Sequence, residues 1–98
     1  MIIKKNLEGS TLTIALEGRL DTTTSPELEK ELEQSLESVT ELIWDFHQLE
    51  YISSAGLRVL LTTQKKMKEN GSMKVIGCNE MILDIFETTG FSEFLIIE

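Results

Sequence analysis

The pattern that most constrains this chain is a change of hydrophobic period at Ser53-Ser54. Before it, Glu41-Leu42-Ile43-Trp44-Asp45-Phe46 is a short apolar run rich in strand formers, as a strand buried in a sheet would be. After it, Leu57, Leu60, Leu61 and Met67 recur at helical spacing, while Arg58, Thr62, Lys65 and Glu69 line the other face. Asn70-Gly71 supplies the stop. A strand that passes directly into an amphipathic helix calls for a sheet with helices packed against it, and the other segments read as support for that junction.

Upstream, Ile2-Ile3-Lys4-Lys5 is an opening strand and Asn6 to Ser10 a turn containing Gly9. Thr11 to Glu17 alternates, with Leu12, Ile14 and Leu16 on one face, so the first two elements form a hairpin with one buried side. Gly18 ends that strand. Asp21-Thr22-Thr23-Thr24-Ser25 is a hydroxyl-rich loop leading to Pro26, which suits the first position of a helix capped by Ser25, or by Thr24 with Glu27 in a capping box. Leu28, Leu32, Leu36 and Val39 form its apolar stripe. Glu27, Glu29, Glu31, Glu33 and Glu37, balanced only by Lys30, read as a solvated face, with a docking surface as the alternative.

Downstream, Met73-Lys74-Val75-Ile76-Gly77 is a short buried strand. Asn79 caps a helix to about Thr88 with Ile82, Ile85 and Phe86 inward, Gly90 closes it, and Phe94-Leu95-Ile96-Ile97 is a last strand. The expected fold is α/β: a mixed, mostly parallel sheet with an N-terminal hairpin and about three helices, in one domain over residues 1–98.

Charge and composition remove several functions. Nine basic residues against seventeen acidic ones give a net charge of −8, which argues against nucleic acid and for a basic partner. The lone Cys78 excludes an internal disulfide, and no run of about eighteen apolar residues is present for direct membrane insertion, so a cytoplasmic location is expected. One Cys and one His cannot close a metal site, and no cofactor loop is present. As a catalytic nucleophile Ser54 would need a base. The only histidine, His47, falls on the loop before the serines, and no Gly-x-Ser-x-Gly elbow exists, so no enzyme activity is expected.

A serine at a helix start has a structural explanation, since an N-cap hydroxyl accepts from an unpaired N–H and contributes about 1 kcal/mol. One serine suffices for that. The second hydroxyl and the small Ala55-Gly56 pair leave a bare helix N-terminus, whose free N–H groups and dipole favour an anion. Arg58, four residues after Ser54, lies on the same helical face and suits a phosphate on that serine, the alternative being a solvent-facing helix former.

Gly18-Arg19-Leu20-Asp21, the Ser/Thr-rich turn after it, and Leu49-x-Tyr51-Ile52-Ser53-Ser54-Ala55-Gly56-Leu57 resemble the STAS domain family, and within it the bacterial anti-sigma factor antagonists. The likeness spans nearly the whole chain in order and spacing. In that family the central motif usually runs Asp-Ser-Ser/Thr-Gly-Leu, and its first serine is phosphorylated by the partner anti-sigma factor, a serine kinase. The resemblance places Ser54 at the phosphoacceptor, Ala55 at the second hydroxyl position and Ser53 at the Asp. Ser53 departs from the pattern, so no motif carboxylate stands beside the acceptor. The resemblance implies a non-enzymatic module that binds an anti-sigma factor serine kinase, is released by phosphorylation at Ser54, and is reset by a serine phosphatase.

The partner surface expected from this reading includes Asp21, Thr22, Ser53, Ser54, Ala55, Gly56 and Arg58. The alternative is a STAS subunit without a switch, in a membrane lipid transporter or a sensory scaffold, where the same helix start would dock constitutively. Many family members also continue into a further helix past the last strand.

Overall fold

A computed structural model describes all 98 residues. Five strands form one sheet in chain order: β1 (Ile2–Glu8), β2 (Thr11–Leu20), β3 (Glu41–Ile52), β4 (Ser72–Ile76) and β5 (Ile96–Ile97). β1 runs antiparallel to β2 and every other pair is parallel. The helices α1 (Ser25–Ser35), α2 (Ser54–Asn70) and α3 (Glu80–Thr89) make the three crossovers. The expected α/β sheet with an N-terminal hairpin and three helices is the one observed.

Strand neighbours that follow chain order, joined by crossovers of one hand, put all the helices on one face. The burial pattern agrees. Leu12, Ile14, Leu16, Leu42, Trp44, Phe46, Met73 and Val75 point into a single core with Leu28, Leu32, Leu57, Leu60, Met67, Ile82 and Phe86 from the helices. The alternate residues Thr13, Ala15, Glu17, Ile43, Asp45 and Ile76 are only half-buried, so the second face of the sheet stays open. Trp44 and Phe46, fully buried with ring centroids 5.9 Å apart, sit at the centre.

Several boundaries differ from the sequence reading. β1 runs to Glu8 and the turn shrinks to Gly9-Ser10, because Glu8 still pairs with Thr11 and Gly9 takes the left-handed φ of 63° that a tight hairpin needs. Gly18 does not end β2; its φ of 101° marks an irregularity inside the strand, which continues to Leu20. The central strand does not stop at Phe46. β3 continues to Ile52, so His47 lies in a strand and not on a loop. Two register shifts explain the missed length: Ala15 pairs with Asp45 but Glu17 with Gln48, and Gly18 with Leu49 but Arg19 with Tyr51. Each adds a residue to β3 and breaks its alternation.

α1 ends at Ser35, before Val39, which is buried from the following loop after Ser38 turns at φ 67°. α2 closes at Gly71, as expected, where a Cβ would run into the carbonyl of Thr40. Asn79 caps α3 by accepting from the Ile82 N–H at 2.9 Å, and Gly90, at φ 84°, ends it. Phe91–Glu93 forms a single 3-10 turn, which leaves β5 only two residues. No helix is long and apolar enough to cross a membrane.

Candidate functional site

The carboxyl ends of β2 and β3 bring two loops together. Leu20 and Ile52 are register partners, and the Ser53 N–H donates to the Leu20 carbonyl at 2.9 Å, tying the start of α2 to the end of β2. A third loop joins them: the Asn79 side-chain amide donates to the carbonyls of Leu49 and Glu50 at 3.3 and 3.4 Å. Three connections thus converge at one end of the sheet, where open α/β sheets place their working sites.

The Asp21 loop is ordered by its own carboxylate. Asp21 Oδ1 accepts from the N–H groups of Thr23 and Thr24 at 3.0 and 3.1 Å. The Thr24 hydroxyl accepts from the Asp21 N–H and donates to the Arg19 carbonyl, both at 2.9 Å. Thr24 occupies the N-cap of α1, but its hydroxyl is engaged in this loop and caps nothing, and the Ser25 hydroxyl is buried without a partner. Neither expected cap of α1 forms. The N–H of Thr24 is the main influence holding the Asp21 carboxyl below the usual carboxylate range, with the Thr23 N–H, the Thr24 hydroxyl and Arg19 acting in the same direction against desolvation.

The two serines have opposite environments. Ser53 is the N-cap of α2 in extended conformation, and its hydroxyl is buried with no hydrogen-bond partner, so the capping bond ordinarily made there is absent. Ser54, the first helical residue, is exposed, and its side chain makes no hydrogen bond. Arg58, one turn further on the same face, is also exposed and has no ion-pair partner. Thr22 is exposed, and Asp21 and Ala55 are half-buried. Gly56 is buried. A Cβ there would stand 2.8 Å from Ile52 Cγ1 and from Leu20 Cγ, so Gly56 lets α2 sit close on the strand ends. Gly56 thus carries a packing role at the start of α2.

The histidine belongs elsewhere. His47 Nδ1 pairs with Asp45 Oδ1 at 2.6 Å, and the His47 N–H donates to the same oxygen at 3.0 Å. Burial opposes ionisation of Asp45, but those two contacts outweigh it and hold its carboxyl low. His47 is thus engaged with Asp45 and makes no hydrogen bond to Ser54. Burial pushes the half-buried Cys78 thiol up to about 11, which leaves it a poor nucleophile.

Sequence reasoning missed the pairing of Arg19 with Tyr51 and the bridging role of Asn79. Both residues of the first pair lie in the quoted motifs, but only the shifted register sets them side by side.

The STAS domain family profile matches residues 3–98. The chain is 30% identical over 82 residues to BtrV of Bordetella bronchiseptica, a protein named as an anti-sigma factor antagonist, covering 82% of this chain and 71% of that one. Its fold superposes on an anti-sigma factor antagonist from Mycobacterium paratuberculosis with a TM-score of 0.87 at 22% identity, over 98% of this chain and 83% of that one. It also superposes on the unphosphorylated anti-sigma factor antagonist SpoIIAA with a TM-score of 0.79 at 17% identity, over 99% and 87% of the two chains. SpoIIAA, a Bacillus cell fate determinant, is known in a phosphorylated form as well. With the profile spanning nearly every residue, this chain belongs to the STAS domain family and is built like its anti-sigma factor antagonists.

Proposed function

We propose that this chain is an anti-sigma factor antagonist that binds an anti-sigma factor serine kinase at the start of α2 and is released when Ser54 is phosphorylated. The observation that carries the proposal is the contrast between two adjacent hydroxyls. Ser54 is exposed and unbonded at the first position of a helix, whereas Ser53 is turned inward. Only one of them is available to a kinase.

The site favours the product without a change of fold. A phosphate carries roughly −1.5 to −2 charge and three acceptor oxygens. At Ser54 it meets the free N–H groups and positive dipole end of α2, with the unpaired Arg58 guanidinium one turn away. The same charge must be desolvated at any tight interface formed here, so binding is lost while the domain stays folded. Asp21, Thr22, Ala55 and Arg58 surround the acceptor as the contact surface. STAS antagonists are regulatory binding domains, and the role assigned to this one is non-enzymatic, with a serine phosphatase restoring the binding form.

The test is intact-mass spectrometry with fragment mapping after incubation with the anti-sigma factor kinase and ATP. One phosphate on Ser54 is expected, absent in Ser54→Ala, retained in Ser53→Ala, and accompanied by loss of the complex. A stable complex with no modification would instead assign the chain to constitutive docking in a transporter or scaffold.

A further inference from the structure

Four of the nine cationic side chains are engaged in ion pairs: Lys4 with Glu17, Lys5 with Glu31, Arg19 with Asp21, and Lys74 with Glu98. Of the five without an ion pair, Lys30 lies on α1 and the other four, Arg58, Lys65, Lys66 and Lys68, all stand on α2. The negative C-terminal end of the helix accounts for Lys68, the one cation in its last turn. It does not account for Arg58, which lies in the second turn towards the positive end, where a lone cation is disfavoured.

Arg58 and Lys66 share the rim of a groove between α1 and α2, with Leu32, Leu36 and Val59 along it and Glu29 on the α1 side. The groove holds about 100 Å³, room for one side chain of a docked segment. Eight residues of helix set the two cations about 12 Å apart, which is about four residues of extended chain.

We propose that this groove docks an extended acidic segment of the partner protein, a local exception to the basic partner surface that the net charge of −8 favours. Two of its carboxylates, about four residues apart, pair with Arg58 and Lys66, and an apolar side chain of the same segment packs on the half-buried Leu36. Glu29 keeps those carboxylates on the α2 side. The proposal rests on the chain being a kinase-binding antagonist, and it adds a second route by which phosphorylation acts. A phosphate on Ser54 takes the guanidinium that the first carboxylate needs, so the modification blocks contact at the helix start and disarms the groove one turn away.

The test is calorimetric titration of the full chain with its anti-sigma factor kinase, comparing wild type, Lys66→Glu and Lys68→Glu. The two variants change net charge equally, but Lys68 is not part of the groove. Lys66→Glu should bind about tenfold more weakly or worse, with Lys68→Glu within about twofold of wild type and the melting temperatures of all three alike. Lys66→Gln, a milder change on the same exposed residue, should lose about threefold. Equal losses from Lys66→Glu and Lys68→Glu, or no loss from Lys66→Glu, would overturn the groove and leave kinase binding standing. Absence of any complex with the wild-type chain would overturn both.

Discussion

The Arg19 guanidinium lies over the ring of Tyr51, 4.4 Å from its centroid. The two residues are register partners near the ends of β2 and β3, and the same guanidinium approaches Asp21 Oδ2 at 3.9 Å. One side chain therefore links the Asp21 turn to the strand residues that precede Ser53. A cation–π contact at an exposed site contributes about 0.5–1 kcal/mol. Its effect here is to fix where the Asp21 turn stands relative to the start of α2 more than to hold the fold together.

The Asp21 turn should weaken in acid. Its carboxyl is held below the ordinary range, so the stabilisation it gives is complete above about pH 4 and fades as pH falls through the lower folded value. Asp21→Ala should melt below wild type at neutral pH, and the gap should close on acidification. Fluorescence of the single tryptophan, Trp44, buried at the core, reports both melts. A gap that stays constant down to about pH 2.5 would contradict this account of the turn.

Arg58 should matter more to the phosphorylated protein than to the unmodified one. In wild type the two forms should melt alike, because the guanidinium and the helix dipole offset the added charge. In Arg58→Ala the phosphorylated form should melt lower, and identical melting of the two forms in that variant would remove Arg58 from the account.

Removing the Ser53 hydroxyl should cost nothing. Loss of a working N-cap costs about 1 kcal/mol, but this hydroxyl is buried and bonds to nothing, so Ser53→Ala removes a desolvated group with no bond to lose. The expected melting temperature is equal to wild type or higher, measured by calorimetry. A fall of several degrees would mean that the hydroxyl does cap α2.

Gly56→Ala should destabilise the domain, although alanine favours a helix over glycine by about 1 kcal/mol. The new methyl would stand 2.8 Å from Leu20 and Ile52 side-chain carbons that are themselves fully buried. Overpacking of that kind costs about 1–3 kcal/mol, so the clash outweighs the propensity gain. Chemical denaturation checks the sign, and a more stable variant would show that α2 can lift off the strand ends freely.

The parts of the fold that could be read from sequence are those written in local chemistry. The change of period at Ser53-Ser54, the Asn79 cap, and the stops at Gly71 and Gly90 each depend on residues a few positions apart. The length of β3 could not be read this way, because Phe46 is followed by the exposed pair His47-Gln48 and alternation fails where the bulges lie. The caps expected for α1 failed for a related reason. Thr24 had a stronger set of partners in the Asp21 turn, which closes only once β2 runs past Gly18 to Leu20. Within the site, the motif singled out the serine pair, but which hydroxyl is accessible and which glycine is packed depend on where the end of β2 meets α2.

The paired bulges in β3 set a limit on how this lineage can change. Between Asp45 and Tyr51 the strand advances six residues while β2 advances four, from Ala15 to Arg19. Because side chains alternate sides, deleting or inserting one residue there would turn Ile52 out of the core and carry Ser53-Ser54 away from Leu20. Single-residue length changes should accumulate in the Gly9-Ser10 turn and between Ser35 and Thr40. The distance along the chain from Trp44 to Ser54 should drift far less than the residues that fill it.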